Sequence, residues 1–372
     1  MSLIQILIIS TILISGDGLK FTKEILFTPS PDNLSEMFEE CFSRHETLIP
    51  FGVSFLDRVF RGIEPQDFVV LAAGSGHGKT EIASYIASQA ALNGKRVHMF
   101  ALEADKNEIE RRGIYRLAAQ SYFSDPNRPK DLGINFEDFH YGTFDDRFLP
   151  YIDHAREEYI KRAKSFYTIY RNDSDFTVEH YENCMRIIDK GSDLIVLDHL
   201  NYFDTPGKNE NLETTHIVKK LRDIVLKQKI PVILVVHVRK KNRHLDELVP
   251  SMEQIHGSSN IPKIATKIFT LSRVDDPENV NPRLIQTYIR PVKYRVSGGK
   301  TMFCGKVLYN IQTNTYEDKF VLGRLIKGGT EFQTISSSLE IPNWAQDDVK
   351  IKKTTPPKKC FYEPVTTEDV PF

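Results

Sequence analysis

Five short runs, FVVLAA (68–73), RVHMFALE (96–103), SDLIVLD (192–198), PVILVVHV (231–238) and KIFTLSR (267–273), alternate with helical stretches at 79–93, 105–120 and 212–228. A strand that is apolar at nearly every position has both faces covered, which is the signature of a parallel sheet. Strands of this kind separated by helices predict an α/β fold with a mainly parallel central sheet and helices on both faces.

With 372 residues, 40% of them hydrophobic, the chain can bury a sizeable core. The expected organisation is one large domain over 49–330 with appendages at either end. Residues 1–48 hold an apolar segment and, at SPDNLSEMFEECF, a linker helix. Residues 331–372, rich in Pro, Lys, Thr and acidic side chains, read as a disordered tail. The net charge of -1 excludes a globally basic surface, so any nucleic-acid contact has to come from a local cluster. Cys41, Cys184, Cys304 and Cys360 are scattered, with no CxxC pair, and read as reduced thiols of an intracellular, cytoplasmic protein. The apolar run Leu3 to Ile14 has no Lys or Arg before Lys20 and falls short of the ~18 residues of a spanning helix. It is expected to dock on the core or on a neighbouring subunit and to have no membrane role.

Ala73-Gly74-Ser75-Gly76-His77-Gly78-Lys79-Thr80 follows one predicted strand and opens a predicted helix. That context turns glycine-rich backbone into a phosphate cradle, because N–H groups point inward and the helix start adds partial positive charge. Gly74, Ser75, Gly76, His77 and Gly78 would surround the phosphates of ATP or another NTP. Lys79 would reach the terminal phosphates, and Thr80 would offer its hydroxyl to Mg²⁺. Ala73 stands where the strict motif has its first glycine. DLIVLDHLNYF delivers Asp198 to the carboxyl edge of the sheet as the acidic partner of that metal. FALEAD brings Glu103 to the same edge as a candidate general base, with Asp105 suited to cap the next helix. His199 reads equally as functional or as a satisfied structural histidine.

The ordered blocks FGVSFLDRVFRGIEPQDFVVLAAGSGHGKTEIA, ALEADKNEIERR, FTVEHYENCMRIIDKGSDLIVLDHLNYF and PVILVVHVRKKNR resemble the RecA-like ATPase domain of DnaB-type hexameric replicative helicases, including the Twinkle branch, over about residues 50–300. The resemblance implies that Glu103 is the catalytic base and that alanine at the first loop position is ordinary. It also implies that Lys293 and Arg295 of RPVKYRVSGG reach the neighbouring subunit's nucleotide. His237 stands where bacterial members carry a glutamine sensor of the γ-phosphate, and a histidine can serve there by donating a hydrogen bond. The same resemblance implies a homo-oligomeric ring, a hexamer as in the family, moving 5′ to 3′ on single-stranded DNA and unwinding duplex.

Arg239, Lys240, Lys241 and Arg243 follow the fourth strand, and Lys263 ends a second loop. Such groups contact phosphates whatever the bases are. The terminal EDVPF is similar to the acidic Pro-Phe tip of bacterial single-stranded-DNA-binding proteins and suggests a replication partner. Short appendages point to a phage, plasmid or organelle protein. A RecA-, RadA- or KaiC-like DNA-stimulated ATPase without unwinding, and an ATP-dependent assembly adaptor, are the alternatives.

Overall fold

The computed structural model describes residues 44–162, 164–171, 176–188, 191–204, 210–238, 247–256, 260–274, 283–335 and 340–346. The chain divides into two compact units, Leu48–Lys352 and a second that joins Met1–Thr47 with Lys353–Phe372. Of the second, only residues 44–47 are described, including a 3-10 turn at Arg44–Glu46. The apolar N-terminal segment, the expected linker helix and the EDVPF tip lie outside the described residues.

Among the described residues, the larger unit is built on a ten-stranded sheet. Its strands are β1 (Phe68–Ala73), β2 (Val97–Ala101), β3 (Phe166–Tyr170), β4 (Leu194–Asp198), β5 (Val232–His237), β6 (Lys267–Val274), β7 (Leu284–Tyr294), β8 (Cys304–Asn310), β9 (Thr315–Ile326) and β10 (Glu331–Thr334). They lie in the order β10-β9-β8-β7-β6-β1-β5-β4-β2-β3. From β6 to β3 every pairing is parallel, and from β6 to β10 every pairing is antiparallel. All five runs read as strands from the sequence are strands here.

The apolar strands divide their side chains between two cores. Val69, Leu71 and Ala73 of β1 join one cluster, while Phe68, Val70 and Ala72 join the other. The period of two along a strand sends neighbours to opposite faces. The first face is covered by α1 (Ser54–Phe60), through Phe55, Leu56 and Phe60, and by α2 (Lys79–Leu92), through Ile82, Ile86 and Ala90. A further stretch of chain supplies α3 (Glu108–Ser124), α4 (Phe136–Tyr141) and α5 (Leu149–Arg162), which share an aromatic cluster of their own around Tyr115, Tyr122 and Phe148. The second face is covered by α6 (Val178–Ile188) and α7 (Glu210–Gln228), with α8 (Ile261–Ile264) beside them. Among the described residues no helix is long and apolar enough to cross a membrane.

Three expectations are corrected. The domain boundary at residue 330 falls inside the β9–β10 hairpin: Glu331–Thr334 pairs with β9, and Trp344 and Ala345 pack on the first core. Apolar side chains at Phe332, Ile335, Ile341 and Trp344 give that segment surface to bury, despite its polar composition. Residues 347–372 lie outside the described residues. The helix expected from 105 begins at Glu108, behind Asn107 at φ 67, and Asp105 does not cap it. β3 and the antiparallel wing β7–β10 are additions to the expected sheet.

The wing is closely packed against α1. A side chain at Gly305 of β8 would run into the ring of Phe55. Gly305→Ala is therefore expected to lower stability by about 1–3 kcal/mol, the cost of overpacking a filled core. Chemical denaturation of the variant beside the wild type checks this, and an unchanged midpoint would mean that α1 moves freely on the sheet.

Candidate functional site

Register gathers the candidate residues. Ala73 pairs with His237 across β1 and β5, Ala101 pairs with Asp198 across β2 and β4, and Leu197 pairs with Leu234 across β4 and β5, so the four strands end at the same edge with the second pair about two residues behind the first. Beyond β1 the chain turns through 74–78 and enters α2. Gly76 and Gly78 have φ of 79 and 81, in the left-handed region where a side chain costs roughly 1–2 kcal/mol. Gly78 caps α2 without a side-chain hydrogen bond, which leaves the first N–H groups of the helix for an anion. Lys79 Nζ donates to the Gly74 carbonyl at 3.0 Å. Burial lowers the Lys79 pKa, while the charges of Asp198 and Glu103 oppose that shift.

Asp198 closes β4 and is almost wholly buried. Burial pushes its pKa up to about 6, opposed by the Thr80 hydroxyl and by Lys79, with Glu103 adding to the rise. Its Oδ1 has no hydrogen-bond partner. A buried carboxylate oxygen with open lone pairs beside a threonine hydroxyl is the donor chemistry that a hard dication such as Mg²⁺ takes, so the residues fit that ion.

Glu103 lies just past β2 with about half of its side chain exposed. Its Oε2 is 3.1 Å from Nε2 of His199, whose side chain is 4% exposed. His199 Nδ1 accepts the backbone N–H of Asn201 at 3.2 Å. Burial, followed by the neighbouring His237 and Lys79, drives the His199 pKa down to about 3, which leaves the ring neutral. His237 closes β5 with its Nε2 3.1 Å from the same His199 Nε2. Burial also lowers the His237 pKa, with Lys79 and His256 contributing.

The phosphate loop, Lys79, Thr80, Glu103 and His237 border a cavity of about 390 Å³ that also receives Arg112, Arg273 and Tyr309. Sequence reasoning missed those three. The Arg273 guanidinium lies 4.1 Å from the Tyr309 ring centroid, and its buried Nε and Nη2 have no hydrogen-bond partner. The signal for Arg273 was present: it lies near the end of β6, next to β1, by the same logic that located Asp198. Tyr309 comes from β8, which no local pattern connects to the loop. Among the expected phosphate-binding residues, His77 has its ring engaged elsewhere, with Nδ1 accepting the Arg273 N–H at 3.0 Å.

The structure does not bring Lys293 and Arg295 to this cavity. β7 runs antiparallel to β6, so Tyr294 pairs with Lys267 at the end of β6 remote from Arg273. Six rises of ~3.3 Å put that end roughly 20 Å from Arg273. Lys293 Nζ donates to the carbonyls of Pro262 at 2.5 Å and Lys263 at 3.4 Å. Burial, and the charge of Arg295, lower the Lys293 pKa. Arg295 is exposed, and its backbone N–H is held by the Thr266 carbonyl at 3.1 Å. Lys263 is exposed on α8, while Arg239, Lys240, Lys241 and Arg243 lie outside the described residues.

One buried acid anchors the loop's helix. Glu81, next to Thr80, accepts from Arg116 Nη2 at 2.7 Å and Arg112 Nη1 at 2.9 Å. Burial would raise its pKa, but Arg116 and Arg112 outweigh burial and hold it below the ordinary value. Glu81→Ala leaves Arg116 buried without its carboxylate and is expected to cost about 3–5 kcal/mol. Thermal unfolding checks this; a loss no larger than that of an exposed ion pair, under about 1 kcal/mol, would show that Arg116 finds another partner.

A parallel sheet with a phosphate loop after its central strand β1 and acids closing neighbouring strands defines a RecA-like P-loop nucleotide-binding domain. The family described as DnaB-like helicase C terminal domain matches residues 49–290, and the chain belongs to that family. The replicative DNA helicase DnaB of Pasteurella multocida is 24% identical over 274 residues, covering 68% of this chain and 54% of that protein. The replicative DNA helicase DnaC of Bacillus subtilis is 25% identical over 252 residues, covering 65% and 51%. The chain thus spans about half the length of these curated relatives. A solved DnaB-like replicative helicase, described together with its interactions with primase, superposes with a TM-score of 0.59 at 17% identity, over 84% of this chain and 68% of that one.

Proposed function

We propose that this chain is the ATP-hydrolysing motor of a replicative DNA helicase, assembled as a ring, which moves 5′ to 3′ on single-stranded DNA and unwinds duplex. The observation that carries this reading is the separation of two sets of residues. Lys79, Thr80, Glu103, Asp198 and His237 meet at one edge of the sheet, while Arg295 stands exposed roughly 20 Å away at the other end of β6. That separation supports a catalytic centre completed by an arginine from a neighbouring chain.

The phosphate loop and Lys79 bind the phosphates of ATP. Thr80 and Asp198 would hold Mg²⁺, which supplies neutralisation of phosphate charge. Glu103, exposed at the cavity mouth, accepts the proton of the attacking water. His237 reads the γ-phosphate and passes its state beyond the end of β5 to Arg239, Lys240, Lys241 and Arg243, which with Lys263 track the DNA backbone. Arg273 and Tyr309 offer a cationic and an aromatic surface to the nucleotide. The EDVPF tip engages a replication partner, and the protein works in the cytoplasm of its host cell.

Glu103→Gln is expected to bind ATP nearly as the wild type does while hydrolysis falls by about 10²-fold or more. Parallel measurement of nucleotide affinity, ATPase and strand displacement on a 5′-tailed fork tests the whole reading. Equal loss of binding and hydrolysis would make Glu103 structural, and DNA-stimulated ATPase without displacement in the wild type would favour the RecA- or KaiC-like alternative.

The shared site has its own test. Arg295→Ala and Lys79→Ala are each expected to be nearly inactive. In mixed rings some interfaces pair the intact loop of the first with the intact arginine of the second, so mixing under subunit exchange restores ATPase well above either alone. No recovery in assemblies proven mixed by mass would confine Arg295 to its own chain or remove its role.

A further inference from the structure

His199 touches both the acid read as the base and the ring read as the sensor. Its Nε2 is 3.1 Å from Glu103 Oε2 and 3.1 Å from His237 Nε2. Because Nδ1 accepts the Asn201 N–H, the single proton of the neutral ring sits on Nε2. One donor therefore faces two acceptors, a carboxylate oxygen and an imidazole nitrogen. We propose that His199 is a positioning residue whose one Nε2 proton is shared between Glu103 and His237, so that engagement of His237 by the nucleotide commits that proton to Glu103 and fixes the carboxylate's aim. The proposal rests on the reading of Glu103 as base and His237 as sensor.

The tautomers supply the logic. While His237 carries its proton on Nδ1, its Nε2 accepts from His199 and competes with Glu103. To donate to a γ-phosphate through Nε2, His237 must give its Nδ1 proton to cavity water and take one from water on Nε2, with no net change in its charge. Two N–H groups at 3.1 Å would then oppose each other, so the His237 ring turns away from His199 towards the phosphate. The His199 proton is left with Glu103 as its sole acceptor, and the carboxylate keeps one oriented oxygen while the other is free for water. No net proton is gained or lost at His199. The 4% exposure of its side chain and the N–H of Asn201 hold the ring so that only its bond to His237 changes.

The test uses the whole 372-residue chain with transition metals chelated, since Glu103, His199 and His237 place ligand atoms within 4.8 Å of one another. His199→Phe keeps a ring but no donor, and is expected to lower kcat by about 10- to 100-fold with nucleotide affinity within about twofold of wild type. His199→Gln, whose amide reaches as far as Nε2, is expected to restore most of that loss. In a Glu103→Gln background, where residual hydrolysis is followed in single turnovers, His199→Phe should change nothing further. Equal losses in the Phe and Gln variants, a parallel loss of affinity, or a further fall in the Glu103→Gln background would overturn the proposal. An inactive Glu103→Gln beside a fully active His199→Phe would also remove it, while leaving the base assignment standing. Nitrogen shifts of labelled histidine in the wild-type chain give a measurement independent of variant folding. His199 is expected to be protonated on Nε2 with and without a non-hydrolysable ATP analogue, and His237 to change from the Nδ1–H to the Nε2–H form when the analogue binds. A His199 proton on Nδ1, or a His237 tautomer indifferent to the analogue, would refute it.

Discussion

The parallel register of β1 with β5 and of β2 with β4 is the constraint from which the site follows. Strands that run the same way and are paired in step end at the same edge, and the residues one step beyond them meet without any loop having to reach. Leu102 donates to the Asp198 carbonyl at 2.8 Å, and Val238 to the Ala73 carbonyl at 3.3 Å, so the pairing continues to the brink of the cavity. A slip of one residue would turn Asp198 to the opposite face and exchange the two cores. Because β1, β4 and β5 bury apolar side chains on both faces, such a slip is opposed all along the sheet.

The phosphate loop depends on a second fixed point. Glu81 lies directly after the loop's threonine and accepts from two arginines of α3. Arg116 also donates to the Asn314 carbonyl at 2.8 Å and to Ser88 Oγ at 3.1 Å, so one guanidinium ties the loop's helix to the β8–β9 turn. Such a buried pair is weak evidence for net stability, but its geometry is demanding, and it fixes where α2 begins relative to the wing that carries Tyr309.

The parallel half of the sheet was legible because parallel strands announce themselves by continuous apolar runs, and because a glycine-rich loop is local. Asp198, Glu103 and His237 sit at or just past a strand end, Lys79 and Thr80 open the helix after the loop that follows β1, and one sheet edge brings them together. β7 was not legible, since Pro291 interrupts LIQTYIRPVKY and a proline argues against a central strand. The half-exposed β3 and the short β10 have little burial to imprint on the sequence. Tyr309 reaches the cavity from β8, distant in the chain, whereas Arg112 stands on the helix just after Glu103 and only the packed structure turns it to the cavity. His199 follows a strand end that suits a structural or a functional histidine equally, and its contacts with both Glu103 and His237 come from tertiary geometry that no single-strand pattern encodes.

The same proline has a structural consequence at the far end of β6. Phe269 pairs with Pro291, but Ile268 pairs with Lys293, so β7 carries one extra residue, Val292, opposite an unbroken β6. A bulge of this kind shifts every later side chain of its strand to the other face and re-aims it. Lys293 and Arg295 therefore leave β7 in an orientation that the regular ladder around Arg273 would not give them. Lys293 turns onto the Pro262 and Lys263 carbonyls, tying β7 to α8, and Arg295 is presented at the surface. β6 and β7 thus form a paired strut with an arginine at each end. Arg273 stands in the chain's own cavity, and Arg295 faces outward at a separation that the rise of the strands fixes and the bulge orients.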